Sequence, residues 1–129
     1  MNTSVGEPGV LTALHDFIKW YMLLTLRFPK SHRVTLGDRI DGHLLDMVET
    51  AALARFARNR RPLLQKLNGQ VEVLRHLTRV AVGLNLMSPK QYEFAARCTE
   101  DIGRQVGGWL KQTRQSEDAQ KPVSASLGV

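Results

Sequence analysis

Acid–base, nucleophilic or metal chemistry in this chain would have to come from four histidines, one cysteine and twelve carboxylates. The histidines, His15, His32, His43 and His76, do not fall at metal-ligand spacing. A di-iron carboxylate bundle needs inward glutamates with Glu-x-x-His pairs on two helices. Here Glu72 and His76 are the only such neighbours within a helical pattern; they lie four residues apart and have no second copy. Asp16, Asp46, Glu49, Glu93 and Glu100 are mostly placed to pair with basic residues on their own helices. Cys98 falls beside an apolar stripe, where a buried and inert thiol is expected. As the only cysteine it allows no intrachain disulfide. There is no Gly-x-x-x-x-Gly-Lys phosphate loop, and Gly107-Gly108 sits inside a helical pattern rather than after a strand. The expectation is a chain with no catalytic residue, no metal and no cofactor; the rival from another class is a metal- or cofactor-binding bundle enzyme.

The chemistry that remains is that of positive charge. The chain carries a net charge of +6. Between Arg55 and Arg79 lie seven basic residues and one acid, Glu72, so that window alone holds +6 and the rest nets to zero. A helix C-terminus would account for Arg55 and Arg58, but not for Arg75 and Arg79. The excess implies a polyanionic partner: nucleic acid first, an acidic protein or membrane surface second. The candidate nucleic-acid-binding residues are Arg58, Arg60, Arg61, Lys66, Arg75 and Arg79, in the corner Arg58-Asn59-Arg60-Arg61 and along the helix that follows. Arginine suits phosphate because its planar fork donates two parallel hydrogen bonds. No exposed aromatic is interleaved with these charges, which predicts backbone-directed, weakly sequence-specific binding of RNA or DNA. Lys90, Arg97, Arg104 and Lys111 recur every seven residues, but Glu93 and Glu100 precede two of them by four, which predicts a salt-bridged solvent face.

Helical periodicity runs almost end to end, with no alternating strand pattern. A first helix is expected over about Leu11 to Phe28, with Leu14, Ile18, Tyr21, Met22 and Thr25 inward and Pro29 as its stop. Thr35 reads as the N-cap of a second, with Asp38 as a variant capping box, running to about Arg58 and burying Leu36, Ile40, Leu44, Met47, Val48 and Ala51. Pro62 suits the first turn of a third, which buries Leu64, Leu67, Val71, Leu74, Thr78 and Ala81. Ser88 and Pro89, with Gln91 closing a capping box, open a fourth that buries Tyr92, Ala95, Thr99, Ile102, Val106 and Trp109. Its Gly103 and Gly107 each cost up to about 1 kcal/mol relative to alanine, which close approach of another helix would offset.

Short connections make this an all-α, up-down-up-down four-helix bundle over residues 10–113. Residues 1–9 and 114–129 are expected to be flexible termini. Leu63, Val73, Leu77, Val80, Leu84, Phe94 and Leu110 widen the apolar faces beyond one bundle's need, which points to self-association. No apolar run is long enough to span a membrane and the N-terminus does not read as a signal peptide, so a cytoplasmic protein is expected.

Several strings also carry a family likeness. Phe28-Pro29-Lys30-Ser31-His32-Arg33 with Leu36-Gly37-Asp38-Arg39-Ile40, then Arg58-Asn59-Arg60-Arg61-Pro62-Leu63-Leu64, recur in order and at consistent spacing with Ser88-Pro89-Lys90-Gln91-Tyr92-Glu93-Phe94-Ala95-Ala96-Arg97 and with Ile102-Gly103-Arg104 through Gly107-Gly108-Trp109-Leu110-Lys111. Together, over about residues 14–111, the chain resembles the accessory variability determinant (Avd) proteins of diversity-generating retroelements, which are related to the four-helix proteins of ribosomal RNA intervening sequences. The resemblance implies a pentameric, barrel-like ring with a basic surface. It also implies binding to the retroelement's reverse transcriptase and to nucleic acid, in support of mutagenic copying of a template RNA into cDNA, with no catalysis by the chain itself. The alternative within the resemblance is an intervening-sequence protein that binds RNA without a reverse transcriptase.

Overall fold

The computed structural model describes residues 7–119. Four helical rods account for nearly all of them: α1 (Glu7–Thr25), α2, α3 (Arg61–Gly83) and α4 (Pro89–Ala119). The second rod, α2, has three consecutive parts: Lys30–His32, a π-helical turn Arg33–Gly37, and Asp38–Phe56. α1 packs on α2 and α4, and α3 packs on the same two, so the chain closes an up-down-up-down bundle around one core.

The punctuation explains some boundaries, and the structure moves others. α1 begins earlier than Leu11 and ends at Thr25, followed by turns that close with Arg27 N–H on Leu24 O (2.9 Å) and Phe28 N–H on Thr25 O (3.1 Å). Thr35 is not an N-cap. The second rod starts directly after Pro29, whose carbonyl accepts from His32 N–H (2.9 Å) and Arg33 N–H (2.8 Å). Thr35 lies within the π-helical turn, and its hydroxyl donates backwards to Ser31 O (3.0 Å) and His32 O (3.3 Å). A threonine hydroxyl bonded one turn back belongs to a helix interior, where it favours a bend or a bulge.

Pro62 does occupy the first turn of α3. That helix ends in a Schellman arrangement: Leu86 N–H reaches Ala81 O and Asn85 N–H reaches Val82 O, both at 2.9 Å. Asn85 supplies the left-handed residue, with φ 61°. The capping box of α4 forms as expected, with Gln91 N–H on Ser88 Oγ (3.1 Å) and Ser88 N–H on Gln91 Oε1 (2.8 Å). α4 does not stop at Thr113. It continues to Ala119, about 46 Å in all, and Arg61 Nη1 meets Glu117 Oε1 at 3.3 Å. Of the termini expected to be flexible, residues 7–9 and 114–119 are therefore helical, and residues 1–6 and 120–129 lie outside the described residues.

Periodicity located the core well. All six stripe residues of α3 are buried, as are Ala95, Thr99, Ile102, Val106 and Trp109 of α4, while Tyr92 is half-buried. Tyr21 and Thr78 join opposite helices through a buried 2.7 Å hydrogen bond between their hydroxyls. Of the surplus apolar residues, Leu110 is buried and Leu63 and Leu77 are half-buried, whereas Val73 and Val80 on α3, and Leu84 just after it, stand 46–49% exposed. Leu23, Leu26 and Phe56 add to the exposed apolar surface.

Candidate nucleic-acid interface

Six basic residues were singled out on charge, and the fold divides them among three places. The first is the α2–α3 corner. Arg58 and Asn59 are exposed in the connection. Arg60 lies with its guanidinium 5.6 Å above the Trp109 ring and donates to Arg55 O at 3.3 Å. Arg61 is engaged by Glu117. The corner is thus braced by α4, through an aromatic face and a carboxylate. Trp109 Nε1 is buried there without a hydrogen-bond partner among the described residues.

The second place is the face of α3 turned towards α4. Arg75 donates from Nε to Glu72 Oε2 at 3.1 Å and leans across α4 at Gly103. A Cβ at Gly103 would stand 3.1 Å from Arg75 Nη2 and 3.5 Å from Val71 Cγ1. This glycine therefore does permit close approach, by α3 and by the arginine fork it carries. Gly107 and Gly108 do not share that role, since a Cβ at either meets nothing within 4 Å. Arg79, one turn beyond Arg75, is exposed and has no ion-pair partner among the described residues. Lys66 is the third place. It precedes Arg75 by nine residues, about half a turn round a helix of 3.6 residues per turn, and so points away from the other two.

Between α3 and α4, Arg75 and Arg79 overlook a groove of about 340 Å³ lined also by Thr78, Tyr92, Ala96 and Thr99. A shallower hollow beside it shares Tyr92 and Ala96 and is rimmed by Lys90, Glu93, Arg97 and Glu100. Periodicity places Tyr92 only on the core face and gives Ala96 no part in a site. Tyr92 closes the end of the buried stripe, where an aromatic ring is half in the core and half in the groove. That dual position is invisible in the periodicity. On the outer face of α4, Arg97 pairs with Glu93 at 3.9 Å as expected. Arg104 departs from expectation and takes Asp101, three residues back, at 3.2 Å instead of Glu100. Asp101 also accepts from Gln105 Nε2 at 2.9 Å, so it serves as the local hub that Glu100, fully on the solvent side, does not.

Two of the other reactive groups have defined surroundings. His43 Nε2 is 2.7 Å from Gln70 O, linking α2 to α3. Burial pushes the Cys98 thiol up, against a smaller opposing pull from Arg97, and so keeps it protonated. Among the described residues no group of three His, Cys, Asp or Glu side chains could hold a metal ion. No described helix is long and apolar enough to cross a membrane.

A protein-family model described as bAvd-like matches residues 10–113, most of the chain and the whole of the bundle core. No curated protein and no solved structure matches it. The family model covers both the corner and the groove and ends before the part of α4 that carries Glu117. The chain forms a four-helix bundle with the corner and fourth-helix strings inside the matched span, and it belongs to the bAvd-like family, that of the accessory variability determinant proteins of diversity-generating retroelements.

Proposed function

We propose that this chain is a non-enzymatic accessory subunit of a diversity-generating retroelement. It binds the element's reverse transcriptase and nucleic acid, template RNA or cDNA, and so supports mutagenic cDNA synthesis and retrohoming. The observation that carries this reading is the family membership, joined to the placement of the basic window. Arg58, Arg61, Lys66 and Arg79 hold surface positions, where phosphate can reach them. Contacts of this kind neutralise phosphates and release counterions without reading bases. Self-association belongs to the same proposal, with a pentameric ring as the expected form. The exposed Val73, Val80 and Leu84 supply apolar surface for it. Five copies of a +6 chain would gather about +30 around one axis.

The test is co-expression with the reverse transcriptase of the same element, followed by purification and measurement of protein and RNA content. A complex of both proteins with RNA is expected. RNA with no polymerase attached would support the intervening-sequence alternative, and neither partner would refute the proposal.

A further inference from the structure

The groove between α3 and α4 differs from a generic basic surface in three respects. It is small, about 340 Å³, at the lower end of the range for ligand pockets. It places an aromatic ring, Tyr92, beside two guanidinium groups one helical turn apart. And its charge is one-sided: Arg75 and Arg79 stand on the α3 wall, while the hollow on the far side of Tyr92 and Ala96 is rimmed by balanced charges, Lys90 and Arg97 with Glu93 and Glu100. An anion entering the groove is drawn to the α3 wall, where the positive charge is in excess. A planar apolar group is left the Tyr92–Ala96 side.

We propose that this groove takes one unpaired nucleotide of a single strand, its base against Tyr92 and its phosphate on Arg75 and Arg79. The inference rests on the nucleic-acid reading above and names the form of nucleic acid the site accepts. A duplex keeps its bases stacked inside and cannot place one between two helices of a bundle. A single strand can splay a base onto an aromatic ring, the usual way such strands are held. Arg75 is set for the phosphate in advance: Glu72 holds its Nε at 3.1 Å, and the missing side chain at Gly103 leaves its Nη2 room against α4. The floor does not read base edges. The Thr78 hydroxyl is engaged with Tyr21 at 2.7 Å, and the Thr99 hydroxyl donates to Ala95 O at 2.7 Å. Binding is therefore selective for strandedness and tolerant of sequence. The expectation from sequence, that no aromatic accompanies the charges, is overturned here by Tyr92, as it is beside the corner by Phe56, exposed with the Arg55 guanidinium over its ring.

The experiment compares a fluorescently labelled 12-nucleotide RNA with a duplex of the same length by anisotropy, using the full chain. Tyr92→Leu keeps apolar bulk against the core and removes the stacking ring. It should weaken single-strand binding roughly tenfold, with duplex binding unchanged, and Tyr92→Phe should restore it. Ala96→Met fills the groove with a good helix former and should give the same selective loss. It stands in if Tyr92→Leu fails to fold by circular dichroism. Equal binding of strand and duplex, with neither variant discriminating, overturns the nucleotide site and leaves the phosphate-binding proposal standing. Binding to neither ligand overturns both. Adenosine monophosphate titrated at the strand's concentration should not compete; competition as strong as the strand's would reassign the groove to free nucleotides and overturn the proposal as stated.

Discussion

Replacing Tyr21 with phenylalanine removes one oxygen from the centre of the bundle and tests how the groove floor is held. Tyr21 is fully buried and its hydroxyl meets that of Thr78, 3% exposed, at 2.7 Å. Deleting one partner of a buried hydrogen bond costs about 1–3 kcal/mol, because the other loses water and partner alike. Thr78 sits within α3 and can turn its hydroxyl to the carbonyl one turn earlier, so Tyr21→Phe belongs at the low end, about 1 kcal/mol. Thr78→Val strands the tyrosine hydroxyl instead and should cost more, about 2 kcal/mol. The double variant removes both groups and should recover part of that loss. Burial pushes the Tyr21 hydroxyl up to about 12 from 10.0, the Thr78 bond opposing and Asp41 adding to the rise. The folded chain then keeps a proton that the unfolded chain gives up. Stability is unaffected below pH 10 and falls as the pH climbs to about 12, by about 2–3 kcal/mol in all. Urea unfolding of the four proteins at pH 7, and of wild type and Tyr21→Phe at pH 8–12, supplies every number. Additive single-variant losses, or an alkaline loss shared equally by Tyr21→Phe, would refute the reasoning.

Three further perturbations probe separate parts of the bundle. Gly107→Ala should raise subunit stability by about 0.5–1 kcal/mol, since alanine is the better helix former and its Cβ meets nothing within 4 Å; denaturant unfolding that showed a loss would mean another chain lies against that face. Burial holds the Asp41 carboxyl above its ordinary 3.8, with the Thr25 hydrogen bond opposing and Asp38 adding, so its ionised form costs stability above the raised value and the cost is relieved as the pH falls towards 3.8. Asp41→Asn keeps an acceptor for Thr25 Oγ1, now 2.7 Å away, and should be the more stable protein at pH 7, with an advantage that shrinks on acidification; a less stable variant at pH 7 contradicts this. Glu117→Ala should cost no more than about 1 kcal/mol, as exposed ion pairs do, and should strengthen nucleic-acid binding by releasing Arg61; a large drop in melting temperature would show that the end of α4 does more than pair with one arginine.

What could be read from residues alone was whatever repeats or caps locally. The 3-4 rhythm of α3 picked out six residues that are all buried, and the Ser88–Gln91 box formed because both partners lie within one turn. Thr35 misled because the same side chain can cap a helix or bond back within one, and Pro29 had already opened the helix. The last turns of α4 were missed because Gln, Arg, Glu and Ala favour helix without making an apolar stripe. What they gain beyond that is a contact with Arg61, 56 residues earlier in the chain. The basic residues were chosen by proximity in sequence, and the fold scatters them. Half a turn separates Lys66 from Arg75, and a neighbouring helix brings Tyr92 to Arg75 and Arg79. That juxtaposition depends on how α3 and α4 align, which no local pattern encodes.

A basic surface that holds nucleic acid by its phosphates is measured directly by a filter-binding series across salt. Affinity should fall linearly on logarithmic axes, each phosphate contact contributing a slope of roughly −0.7 to −0.9. Arg75→Ala with Arg79→Ala should lower affinity for unrelated sequences alike and flatten that slope. Both side chains sit on the polar face of α3, so the bundle should stay folded. Arg97→Ala with Arg104→Ala should matter less, because Glu93 and Asp101 engage both of those arginines, whereas Arg79 has no ion-pair partner among the described residues. Binding that ignores salt, or a helix-four pair that proves essential while the helix-three pair is silent, would contradict the account.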